Sequence, residues 1–226
     1  MTVPLAGLAR IEAMAAEHRL AVLGGFHPGP EDDLPPGTGT VLLLGPDGPE
    51  FWGHVTAQPE FADGLADQLD RWSRRVIGQM ACRLGGKARF PFGGPPWAPF
   101  HRWAARSGRA WGSPVGLLVH DTAGLWLSYR GAVALRDRLT LPPVPGESPC
   151  ESCAEKPCLS ACPVGALGAD GYDVPACRAF LDTDPGADCM GRGCAVRRAC
   201  PVSQAFGREA AQSAFHMRQF HRPAEG

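Results

Sequence analysis

Cys150-Glu-Ser-Cys153-Ala-Glu-Lys-Pro-Cys158-Leu-Ser-Ala-Cys162-Pro163 and Cys189-Met-Gly-Arg-Gly-Cys194-Ala-Val-Arg-Arg-Ala-Cys200-Pro201 are the two runs on which the reading of this chain turns. With Cys177 between them they hold eight of the nine cysteines in 226 residues; the ninth, Cys82, stands alone. Just ahead of them, Leu141-Pro-Pro-Val-Pro-Gly-Glu-Ser-Pro149 carries four prolines in nine residues. Such a stretch neither continues a helix nor donates fully to a sheet, so it reads as a semi-rigid linker. The expected organisation is a domain over residues 1–141, a linker over 142–149 and a cysteine-rich module over 150–226 that ends in a helix.

Thiols in a reducing compartment stay free, and a dense group of them there holds metal more often than disulfides. A cubane iron–sulfur cluster needs four converging thiolates. In two-cluster bacterial ferredoxins three come from one closely spaced run, and the cysteine before a proline crosses over to the other cluster. Eight cysteines make two sets of four with none left over. The expected pairing is Cys150, Cys153, Cys158 and Cys200 for one [4Fe–4S] cluster, and Cys162, Cys177, Cys189 and Cys194 for the other. The spacings are longer than in the usual bacterial run, which leaves the exact pairing open. A structural zinc site is the first alternative, but it favours two short CxxC knuckles and only Cys150–Cys153 has that form. A disulfide framework is the second.

The remaining composition sets bounds. There are 22 basic and 23 acidic residues, a net charge of −1, so nucleic acid is not the expected partner. No apolar run approaches the ~20 residues that span a bilayer. Met1–Leu20 lacks a basic start followed by an apolar block, and the expected location is the cytoplasm. A helix is expected up to about residue 19, with Pro4 in its first turn and Leu5, Leu8, Ile11 and Ala15 on one face. Leu20–Phe26 and Thr40–Leu44 read as strands. Asp63–Leu84 reads as the main helix, capped by Asp63 and stopped by Gly85-Gly86, with Cys82 as a small core residue on it. A helix is expected from Trp97 to Arg106. Val115–His120 and Leu125–Leu135 flank Asp121-Thr-Ala-Gly124 and predict a hairpin. Phe206, Ala210, Met217 and Phe220 mark the C-terminal helix. The class is α+β, with an antiparallel sheet and flanking helices. The loop Phe90-Pro-Phe92-Gly-Gly-Pro-Pro-Trp97 reads as either a wall for a planar ligand or an aromatic plug.

On the cysteine pattern, Cys150 to about Phe206 resembles the dicluster ferredoxin module of epoxyqueuosine reductases and corrinoid-dependent reductive dehalogenases. Ala176-Cys177-Arg-Ala-Phe-Leu181 sits where the former carry an isolated ligand. In those families the module follows a cobalamin-binding domain of nitroreductase-like fold. Val115-Gly116-Leu-Leu-Val-His120 through Gly124-Leu-Trp126 to Arg130-Gly131-Ala-Val-Ala-Leu135 is similar to a segment of CblC-type cobalamin-processing proteins. That resemblance implies Gly116 and His120 beside a corrin and Arg130 at an anion pocket. No motif matches the acidic proton donor of epoxyqueuosine reductases, so tRNA modification is not expected. The expected function is an iron–sulfur redox protein, leaning to oxidoreductase, that relays single electrons to a cobalamin-type cofactor or substrate. The alternatives are a ferredoxin-type carrier for a partner protein or reductase, and clusters that only staple a loop-rich tail. No catalytic residue is assigned.

Overall fold

The computed structural model of the chain describes residues 7–144 and 146–221. Its elements run α1 (Leu8–Ala16), β1 (Leu20–Phe26), β2 (Thr40–Pro46), α2 (Glu50–Thr56), α3 (Gln68–Arg83), β3 (Lys87–Arg89) and α4 (Phe100–Arg106). They continue with β4 (Ala110–Gly112), β5 (Leu118–His120), β6 (Gly131–Leu135), β7 (Leu167–Gly168), β8 (Gly171–Tyr172) and α5 (Val174–Leu181). Then follow α6 (Ala187–Arg192), α7 (Ala195–Ala199), α8 (Pro201–Phe206) and α9 (Ala210–His221). The protein is mixed α+β, and its sheets are small and antiparallel. Pro4 and Leu5 of the expected first helix, and residue 145 of the expected linker, lie outside the described residues. Among the described residues no helix is long and apolar enough to cross a membrane.

The chain divides into two compact units. The first comprises Met1–Arg109 and Ser128–Gly146, and is built on a four-stranded sheet of order β1-β2-β6-β3. The inner strands β2 and β6 are near-continuous apolar runs because both their faces are covered; Val41–Leu44 are fully buried. The α3 helix packs on β6 and β3 through Trp72, Val76, Ile77 and Met80, while α1 and α4 lie against β1. Gly85, at φ +64°, closes α3 in a Schellman turn, with Gly86 N–H on the Ala81 carbonyl and Gly85 N–H on that of Cys82.

The second unit comprises Ala110–Leu127 and Glu147–Gly226. This differs from a contiguous first domain over 1–141, because residues 110–127 pack with the cysteines. Val115, Val119 and Leu125 form one apolar cluster with Cys158, Leu167, Val196 and Cys200.

Four further expectations are corrected. The hairpin does not form. β5 pairs with β4 instead, the Asp121–Gly124 turn is closed by a single His120–Gly124 bridge, and β6 pairs with β2 and β3. An apolar five-residue strand gains more by burial in the centre of a sheet than in an isolated ribbon. The main helix starts at Gln68 rather than Asp63. Asp63 instead accepts from Leu65 N–H (2.9 Å) and ion-pairs with Arg71, while Leu65 is exposed. Cys82 is exposed, because the buried stripe of α3 runs through Trp72, Val76, Ile77 and Met80 and leaves it on the outer side. The C-terminal helix is two helices, α8 and α9, with Gly207 between them at φ +68°; α9 packs against α6 of the same unit.

Candidate functional site

All nine cysteines are free thiols. The eight clustered ones lie in the second unit, in two groups. Cys150 and Cys153 follow a turn set by Ser148, whose hydroxyl accepts from Cys150 N–H (3.2 Å) and whose carbonyl accepts from Glu151 N–H (2.9 Å). Cys158 sits in the short 3₁₀ turn Pro157–Leu159. Cys200 lies in extended backbone between α7 and α8, and Pro201 starts the latter helix, where a missing N–H costs nothing. These four thiols line a single cavity of about 350 Å³, together with Ser113, Val119 and Leu125. Burial pushes the Cys150 thiol up from its ordinary value. The Ser148 hydroxyl and Lys156 pull the other way, and the Cys200 and Cys153 thiols add to the rise. Burial likewise raises Cys158, with Cys150, Cys200 and Cys153 adding to it.

The second group is assembled from more scattered elements. Cys162 precedes the turn closed by Gly165 N–H on its carbonyl (3.2 Å). Cys177 lies in the first turn of α5, which Asp173 caps by accepting from Ala176 N–H (2.9 Å). Cys189 is buried on α6, and Cys194 is the N-cap residue just before α7. Burial pushes the Cys177 thiol up. A hydrogen bond from the Tyr172 hydroxyl (3.5 Å) opposes this, and the Cys194, Cys162 and Cys189 thiols add to the rise. Each group of four therefore lies within electrostatic reach of its own members. Among the described residues, no three His, Cys, Asp or Glu side chains converge as a ligand set for a metal ion.

No family model, curated protein or solved structure matches the chain.

The three residues implied as corrin-side or anion-side belong to different units. Gly116 sits at φ +73° in the turn between β4 and β5, donating its N–H to the Ser113 carbonyl (3.0 Å), a conformation glycine adopts without strain. His120, the last residue of β5, is fully buried. Its Nδ1 meets the N–H groups of Thr122 and Ala123 (3.2 and 3.3 Å), the Thr122 hydroxyl (3.0 Å) and the Asp121 carboxylate (2.9 Å). Arg130, in the first unit, is buried just before β6. Its Nε donates to the Ser73 hydroxyl (3.1 Å), its Nη2 to Asp70, and its guanidinium lies 5.3 Å from the Phe92 ring centroid. Burial holds that guanidinium below its ordinary value, and Asp70 opposes the shift.

The aromatic loop divides its roles. Phe90 and Phe92 pack as a tilted pair, centroids 5.3 Å apart, beneath Arg74, Trp97 is exposed, and Phe100 and Trp103 of α4 are buried. The arginines on this unit are largely engaged internally: Arg75 with Glu60, Arg102 with Asp33, Arg106 with Glu31. The residues around the quartets that motif spacing missed are Tyr172 and Arg197. Neither belongs to a spaced pattern; both reach the thiols only through the folded backbone.

Proposed function

We propose that the chain is an iron–sulfur redox protein with two [4Fe–4S] clusters, one on Cys150, Cys153, Cys158 and Cys200 and one on Cys162, Cys177, Cys189 and Cys194. The observation that carries this reading is the sorting of eight free thiols into two groups of four, the first of them lining one cavity. A single ion such as zinc draws its thiolates onto one point at about 2.3 Å. A four-iron cluster keeps each thiolate on its own iron, so it asks for four thiols around a void rather than a closed tetrahedron. When bound, such clusters accept and release single electrons. The chain's own part is to hold the thiols apart, to exclude water with Val115, Val119, Leu125 and Val196, and to set the charge around them. The nitroreductase-like and ferredoxin-like architectures, and a cobalamin-type electron acceptor, belong to the same proposal and rest on the sequence resemblance. Gly116, His120 and Arg130 are the residues the resemblance assigns to that acceptor.

Two measurements test this. Anaerobically purified protein should show a broad iron–sulfur absorption that bleaches on dithionite and returns on oxidation; a featureless spectrum contradicts the redox reading. Hydroxocobalamin added to the reduced protein should change its own spectrum if a corrinoid is the acceptor. No change would favour a carrier that serves a protein partner.

A further inference from the structure

The two groups of thiols differ in what surrounds them. The β7–β8 hairpin pairs Leu167 with Tyr172, and the Tyr172 hydroxyl donates to the Cys177 sulfur at 3.5 Å. The Tyr172 ring stacks on Phe220, with centroids 6.0 Å apart and planes 14° apart. Phe220 is itself tied to α5, because Arg178 donates to its carbonyl (3.1 Å) and lies 5.3 Å from its ring centroid. The phenol is thus braced from the helix that carries Cys177. Arg197 stands one turn along α7 from Cys194 and donates to the Leu125 carbonyl (3.0 Å), and its charge acts on Cys194 and Tyr172. On the first group the corresponding neighbours are Ser148 and the exposed Lys156, both acting on Cys150.

We propose that the cluster on Cys162, Cys177, Cys189 and Cys194 is the more easily reduced of the two, and that the hydrogen bond from Tyr172 to Cys177 sets this order. The proposal rests on the two-cluster reading. Adding an electron makes the sulfurs more negative, so a donor hydrogen bond or a nearby cation stabilises the reduced state more than the oxidised one. The Tyr172 hydroxyl is placed as such a donor, 3.5 Å from the Cys177 sulfur. The step is a one-electron reduction. The electron comes from an external donor, dithionite in the test, no bond forms or breaks, and Tyr172 keeps its proton. An electron entering either cluster would then come to rest on the second.

The test is a potentiometric titration of the full chain and its Tyr172→Phe variant, purified anaerobically and followed by visible absorption and EPR, with iron counted in both. The variant keeps the ring that stacks on Phe220. Two one-electron waves are expected in the parent. In the variant the upper wave should move to more negative potential and the lower should not move, with about eight irons retained. Full iron with both waves unmoved, or a shift of the lower wave, overturns the inference and leaves the two-cluster reading standing. Iron lost in the variant also overturns it, since Tyr172 would then be holding the cluster rather than tuning it. Absence of iron from the parent overturns the reading beneath it.

Discussion

Cys177 enters its group from the first turn of α5, far in sequence from both Cys-Pro runs, so replacing it removes one ligand of four and leaves the other group intact. Cys177→Ala should lower iron from about eight to about four per chain and leave the spectrum of one cluster. Iron unchanged, or wholly lost, would show a different pairing. Arg130 makes a different kind of claim. It is a buried cation whose partner Asp70 is 36% exposed at the side chain. Removing one member of a fully buried pair costs about 3–5 kcal/mol. The partial exposure of Asp70 lowers the expectation for Asp70→Ala to about 2–3 kcal/mol, read as a fall in the urea midpoint. A stability change below about 0.5 kcal/mol would show that Ser73 and Phe92 suffice. In the sequence Arg130 is visible as a cation amid apolar residues. Asp70 and Phe92 as its neighbours are not, because nothing local links them.

At the scale of elements, the parts that could be read early are those whose signal is local. Leu20–Phe26 is a strand with its predicted bounds, and Gly85-Gly86 ends α3 as expected. The start of α3 was not legible, because Asp63 has the chemistry of a cap but is drawn to Arg71 and to the Leu65 N–H. The hairpin failed for a related reason: a turn sequence says where the chain reverses, not which strands then pair. The turn ahead of α3 also carries a pH dependence. Arg75 hydrogen-bonds the Glu60 carboxylate and holds its pKa below the ordinary 4.5. A depressed folded value stabilises above pH 4.5 and is lost as pH falls through it. Glu60→Gln should therefore lower stability at pH 7 and flatten the loss below pH 4.5, measured by urea unfolding across pH. An unchanged acid limb would rule out this pair as a contributor.

For the molecule as a whole, the two units ask for different sources of stability. The first has a sheet with both faces covered and a core that includes Trp72 and Trp103. Apart from α9 of 12 residues, the helices of the second are short: α7 of 5 residues, α6 and α8 of 6 and α5 of 8, below the ~12–15 at which isolated helices become even marginal. Its expected staple is metal. Stripping iron with an oxidant and chelator should abolish amide-exchange protection in residues 150–206 while β1, β2 and β6 stay protected; protection retained in both would mean the second unit folds without metal. A division near residues 141–149 was legible as an expectation from cysteine density and the proline-rich stretch. The membership of residues 110–127 was not, since it depends on Val115, Val119 and Leu125 meeting a cluster of residues more than thirty positions away. The central claim is decided by counting iron and acid-labile sulfide in the anaerobically purified full chain. About eight of each per chain are expected; zinc in their place, or neither iron nor sulfide, would contradict the two-cluster reading.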